Sequence, residues 1–159
     1  MKKISLVLAV VLIASAFVFS ACGNNGGGNT SLSVTELWAK ANEAAGFGAM
    51  TAVPKGDWSD IYGVDTSKVE EAAWYMSENP SLNADEMAIF KLNDASYAET
   101  LAGIFRSRIA RQLEVAKAYS PDEAKKLETA EVVVAGNYVY YCVGTANSAV
   151  VTLMKSLIK

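Results

Sequence analysis

A chain of 159 residues, 52% apolar and 19% charged, has the length of one domain and enough apolar side chain to build a core. It contains no histidine, which excludes Ser-His-Asp and Cys-His nucleophile activation, histidine-ligated zinc or haem, and any imidazole base. Fourteen basic against seventeen acidic residues give a net charge of −3, so the basic footprint of a nucleic-acid binder is missing.

Lys2 and Lys3 precede an uncharged apolar run from Ile4 to Phe19, and Ser20-Ala21 places small residues before Cys22. These are the cationic, apolar and small-residue regions of an export signal over residues 1–21. An uncleaved anchor helix is the alternative, because the run is nearly long enough to span a bilayer. Phe19-Ser20-Ala21-Cys22 resembles the lipobox of bacterial lipoproteins. That resemblance implies a diacylglyceryl group on the Cys22 thiol, cleavage before it, and a place on the outer face of the cell membrane. Two acyl chains on one residue anchor stably where a single chain is marginal. Residues 22–32, rich in glycine and asparagine, read as a flexible tether; nine residues of that composition span about 17 Å root-mean-square. Without Lys2 and Lys3 the mature chain holds twelve basic and seventeen acidic residues, a balance of −5, so lipid and not surface charge is the expected attachment. Once Cys22 is acylated, Cys142 is the one thiol left, so no intrachain disulfide can form. Cys142 reads as a small buried hydrophobe.

Residues 33–159 read as a single α+β domain. Ser33 and Glu36 have capping-box spacing before Leu37, Trp38, Ala41 and Ala45, which predicts a helix over 34–45 closed by Gly46. From Gly46 to Gly63 the chain reads as irregular, with a short turn near Asp57 to Tyr62. The stretch 65–77 fits both helical and alternating spacing; the reading adopted is a turn followed by a strand at 70–77. Residues 85–92 predict a second strand and 96–119 a long helix, continued from Pro121 to Leu127. The runs 131–135 and 138–143, joined by Gly136-Asn137, predict a hairpin. A last amphipathic helix covers 147–159. Two strand-strand-helix units after an N-terminal helix predict an antiparallel sheet packed on helices, with the helices on one face.

Four stretches stand out in order: Ile61-Tyr62-Gly63-Val64-Asp65, the run from Asn83 to Lys91, Arg108 with Gln112 and Tyr119, and Gly136-Asn137-Tyr138-Val139. Through them, the chain from Trp38 onward resembles a family of Gram-positive bacterial lipoproteins, domain-of-unknown-function family 4358. The resemblance implies an exported, lipid-anchored envelope protein. It implies no activity, cofactor or catalytic residue.

The long helix carries the most informative polar residues. Leu101, Ile104, Phe105, Val115, Ala116 and Tyr119 form one apolar stripe, and Arg108 and Gln112 fall near its centre. A guanidinium there must snorkel out or find a carboxylate. The adopted reading is an Arg108–Glu86 pair that fixes the helix on the sheet; an anion-receiving site at Arg108, with Glu86 and Gln112 beside it, is the alternative, and a solvated arginine at a bend is the third. Asp57, Asp60 and Asp65 could offer oxygen ligands to calcium but lack the alternating spacing of a known loop. The pairs Glu70-Glu71, Asp85-Glu86 and Asp122-Glu123 could serve glycoside hydrolysis, but adjacent strand residues face opposite sides and the domain is small for a sugar-cleaving groove. Tyr138, Tyr140, Tyr141, Trp58 and Trp74 could stack on sugars or peptide; the adopted reading is core and sheet-face packing. No acid/base pair stands out and no metal or cofactor is expected. The expected function is a tethered, non-catalytic binding or assembly module of the cell envelope, meeting the membrane through its anchor and an envelope protein or small ligand through its domain. A small extracytoplasmic enzyme working through carboxylate, arginine or tyrosine is the alternative.

Overall fold

The computed structural model describes residues 29–159, so the expected leader and Cys22 lie outside the described residues. Helix α1 (Val34–Ala45) begins at the expected capping box: Ser33 Oγ accepts from Glu36 N, and Glu36 Oε2 accepts from Ser33 N at 2.8 Å. Ahead of it, Lys159 N donates to Asn29 O at 3.1 Å and Leu32 packs under α1. The last residues of the expected tether therefore lie against the domain.

The segment after α1 is more ordered than its composition suggests. It holds an edge strand β1 (Met50–Ala52) and a short helix α2 (Lys55–Asp60). No alternation marks β1, because Thr51 and Ala52 are both exposed at the sheet edge. Strands β2 (Val69–Ser77) and β3 (Glu86–Leu92) pair antiparallel, with a register shift between Val69 and Glu71. That shift interrupts simple alternation in the very stretch that read two ways. A turn capped by Asp94 leads into α3 (Ala98–Tyr119), and α4 (Pro121–Glu128) starts with proline in its first turn, where the missing N–H costs nothing. The hairpin of β4 (Val133–Ala135) and β5 (Tyr138–Val143) turns through Gly136 at φ 61°. No described non-glycine residue has positive φ, so Asn137 does not share that conformation. Helix α5 (Asn147–Leu157) closes the chain.

The sheet order is β1-β2-β3-β5-β4, antiparallel at every step. Helices cover both of its faces, which corrects the one-faced expectation. Trp74, Phe90, Val139 and Tyr141 meet Leu101, Phe105 and Ile109 of α3 on one side. Met87, Ile89, Tyr140 and Cys142 meet Leu37 and Ala41 of α1 and Val150 and Met154 of α5 on the other. The cause lies in β5, where all six residues are buried: a continuous apolar strand needs cover on both faces.

A second correction concerns α3. Leu101 and Phe105 are buried as the stripe predicts, but Val115 is 62% and Tyr119 86% exposed. Gln112 lies beside Glu86, the first residue of β3, so the turns beyond Gln112 run past the end of the sheet. This overhang is about 10 Å long.

Candidate functional site

Strand alternation puts Glu86 on the same face as Trp74 and Tyr141, under α3, and leaves it only 1% exposed. Arg108 sits one helical turn beyond Phe105 and reaches it with two bonds: Nε donates to Oε1 at 2.7 Å and Nη2 to Oε2 at 2.8 Å. Gln112, one further turn along, donates Nε2 to Oε2 at 3.0 Å. Trp74 Nε1 donates to Oε1 at 2.7 Å, and the Tyr141 hydroxyl donates to the same oxygen. Five donated hydrogens thus converge on a group with about four acceptor sites. The Arg108 guanidinium also lies 4.6 Å from the centre of the Tyr62 ring and 5.5 Å from that of Trp74.

The structure therefore brings Glu86, Arg108 and Gln112 together. Burial opposes the charge on Arg108, yet its hydrogen bonds to Glu86 and the carboxylate's charge outweigh burial and hold the guanidinium above its ordinary pKa. Burial, reinforced by Glu86, pushes the Tyr141 hydroxyl well above the usual tyrosine range. Trp74 and Tyr141 were legible as core or stacking aromatics, not as partners of Glu86. Their polar tips were the overlooked signal, since a buried indole N–H or phenol needs a partner. Chemically, the cluster is saturated. Glu86 has no free lone pair for a substrate proton, and the Arg108 nitrogens facing it are spent on Glu86.

A second polar cluster borders the first. Lys126 of α4 is 3.0 Å from Glu123, donates to Asp85 at 2.9 Å and to Asn83 Oδ1 at 3.1 Å. Glu123 also accepts from Ala84 N at 2.7 Å. Burial alone would lower the Lys126 pKa; hydrogen bonds to Asp85 and Glu123 more than reverse this and raise it. These contacts pin the β2–β3 loop to α4.

Between that loop and the α3 overhang lies a groove of about 500 Å³, within the range of small-molecule sites. The loop supplies residues 80–84, α3 supplies Arg111, Gln112, Val115, Ala116 and Tyr119, and α4 supplies Glu123 and Leu127. Leu82 is 73% exposed, and with Val115 and Tyr119 it accounts for three of the four large exposed hydrophobics among the described residues. Sequence reasoning assigned Val115 and Tyr119 to the core and missed Leu82.

The remaining candidates have structural partners. Asp65 caps a turn by accepting from Ser67 N at 3.0 Å, and Asp60 accepts from Ser59 Oγ at 2.9 Å. Asp57, Asp60 and Asp65 do not gather, and no cluster able to hold a metal occurs among the described residues. Glu70 pairs with Lys91, Asp122 with Lys125, and Glu71 accepts from Val34 N at the start of α1. Trp58, Trp74, Tyr138, Tyr140 and Tyr141 are buried. Cys142 is buried too; desolvation, with Asp85 acting in the same direction, pushes its thiol up to about 12.

No curated protein and no solved structure matches the chain. Residues 43–144, from the last turn of α1 through the sheet, both polar clusters and the groove, match a domain of unknown function, DUF4358. The match takes in more than half of the chain, which therefore belongs to the DUF4358 family.

Proposed function

We propose that this chain is a bacterial lipoprotein, held on the outer face of the cell membrane by lipidated Cys22, whose domain is a non-catalytic binding or assembly module. The observation that carries the reading is the groove rimmed by exposed Leu82, Val115 and Tyr119. Large apolar side chains left in water around one concavity mark a surface that a partner covers. The saturated state of Glu86 favours binding over catalysis: a general acid or base needs room to exchange a proton with substrate, and here five donors occupy the carboxylate. The lipobox-like Phe19-Ser20-Ala21-Cys22 behind a cationic and apolar leader supports the anchor.

Two measurements test the two halves of this reading. Fatty-acid labelling of the expressed chain should disappear in Cys22→Ala; labelling that persists refutes the anchor. A photo-crosslinking amino acid at Val115, in intact cells, should give a discrete adduct that is lost in Leu82→Asp, whereas one at exposed Lys40 on α1 should give none. Equal adducts at both positions, or none at Val115, refute the groove as the binding surface.

A further inference from the structure

We propose that the groove receives a short segment of partner polypeptide in which apolar side chains neighbour a carboxylate. The proposal rests on the binding-module reading and specifies its ligand.

Charge supplies the first argument. The chain has three arginines, all on α3. Arg106 pairs with Glu99 and Arg108 with Glu86. Arg111, on the groove wall, has no ion-pair partner among the described residues. The acids nearest to it in sequence and in the groove are engaged: Glu114 with Lys117, and Glu123 with Lys126 and Ala84 N. An exposed guanidinium beside an apolar rim suits a ligand that carries a carboxylate next to apolar groups.

The rim separates a peptide from a fatty acid, which would also offer a carboxylate and an apolar chain. Leu82, Val115 and Tyr119 are 73%, 62% and 86% exposed and belong to two different elements, the β2–β3 loop and α3. They stand around the mouth of the groove and do not wall in a slot for one continuous acyl chain, whereas separate apolar side chains of a peptide can each cover one of them. Peptide therefore meets both the charge and the rim of the groove.

The test pans the full-length, detergent-solubilised protein against random heptapeptides displayed on phage. Wild type should enrich sequences that combine aliphatic or aromatic residues with Asp or Glu. Leu82→Asp and Val115→Asp, both at exposed positions, should each cut recovery at least tenfold while thermal unfolding stays put. Arg111→Glu should switch the enriched charge from acidic to basic. No enrichment above Leu82→Asp, or an acidic preference that survives Arg111→Glu, overturns the proposal. So does groove-dependent binding of the Cys22→Ala chain to anionic phospholipid vesicles, which would make the ligand a lipid surface. A Val115 crosslink lost in Leu82→Asp, with no such peptide preference, ends this proposal and leaves the binding-module reading intact.

Discussion

The two halves of α3 carry the same apolar stripe and meet opposite fates. From Ala98 to Ile109 the stripe lies on the sheet, and Phe105 packs within 5.3 Å of the ring centres of Trp74, Phe90 and Tyr141. Beyond Gln112 the same periodicity leaves Val115 and Tyr119 in solvent over the groove. Periodicity identifies the apolar face of a helix, but the length of the strands beneath it decides how much of that face is core. Glu86 and Arg108 mark the border, because the last acceptor the sheet offers meets the last cation that can reach it.

Mutations along α3 should reproduce that border. Phe105→Ala removes a ring from the centre of the aromatic cluster and should cost about 3–5 kcal/mol in denaturant unfolding. A loss under 1 kcal/mol would mean that the first half of α3 is not core. At the border, Lys126→Ala leaves Asp85 and Glu123 facing each other without their cation. It should cost about 1–3 kcal/mol, measured the same way, and should loosen hydrogen-exchange protection in the β2–β3 loop. In the overhang, Val115→Ser and Tyr119→Ser should each change stability by no more than about 0.5 kcal/mol. A large loss from either would place the overhang in a packed interface instead of an open groove.

Thiol chemistry sharpens the same contrast. Cys142, sealed under α1 and α5, should resist a thiol reagent in native protein, while Val115→Cys should react at once. Burial raises the Cys142 pKa from 9.0 to about 12, so the folded state keeps a proton that the unfolded chain releases. Its stabilising effect is complete below pH 9 and fades as pH rises toward 12. The stability difference between wild type and Cys142→Ala should therefore narrow across that window; a gap that stays constant would contradict the burial.

Much of this domain is legible in the chain itself. The Ser33–Glu36 box, Pro121 at the start of α4 and the Gly136 turn each carry their physical cause locally, and α1, α4 and the hairpin form where those residues predict. What is missed depends on distant partners. β1 is a strand because β2 lies beside it, and no pattern in Met50-Thr51-Ala52 says so. The two-faced cover of the sheet was written in the unbroken apolar run of β5, although a one-faced packing took precedence. Arg108 and Gln112 announce themselves by breaking an apolar stripe, whereas Leu82 in a polar loop carries no sign that α3 overhangs it.

Glu86 and Arg108 seat α3 on the sheet: two hydrogen bonds join the helix to the first residue of β3. A double-mutant cycle of Glu86→Met and Arg108→Met, read by denaturant unfolding, measures how much the pair holds α3 down. Each single change strands the partner's buried charge and should cost about 3–5 kcal/mol. The double change should cost less than the two together, with a coupling of about 1–3 kcal/mol, since residues in contact are not additive. Recovery stays partial because Trp74 and Tyr141 lose their acceptor. Additive losses would mean that the pair does not hold α3 on the sheet, and would return Arg108 to the candidates for binding an external anion.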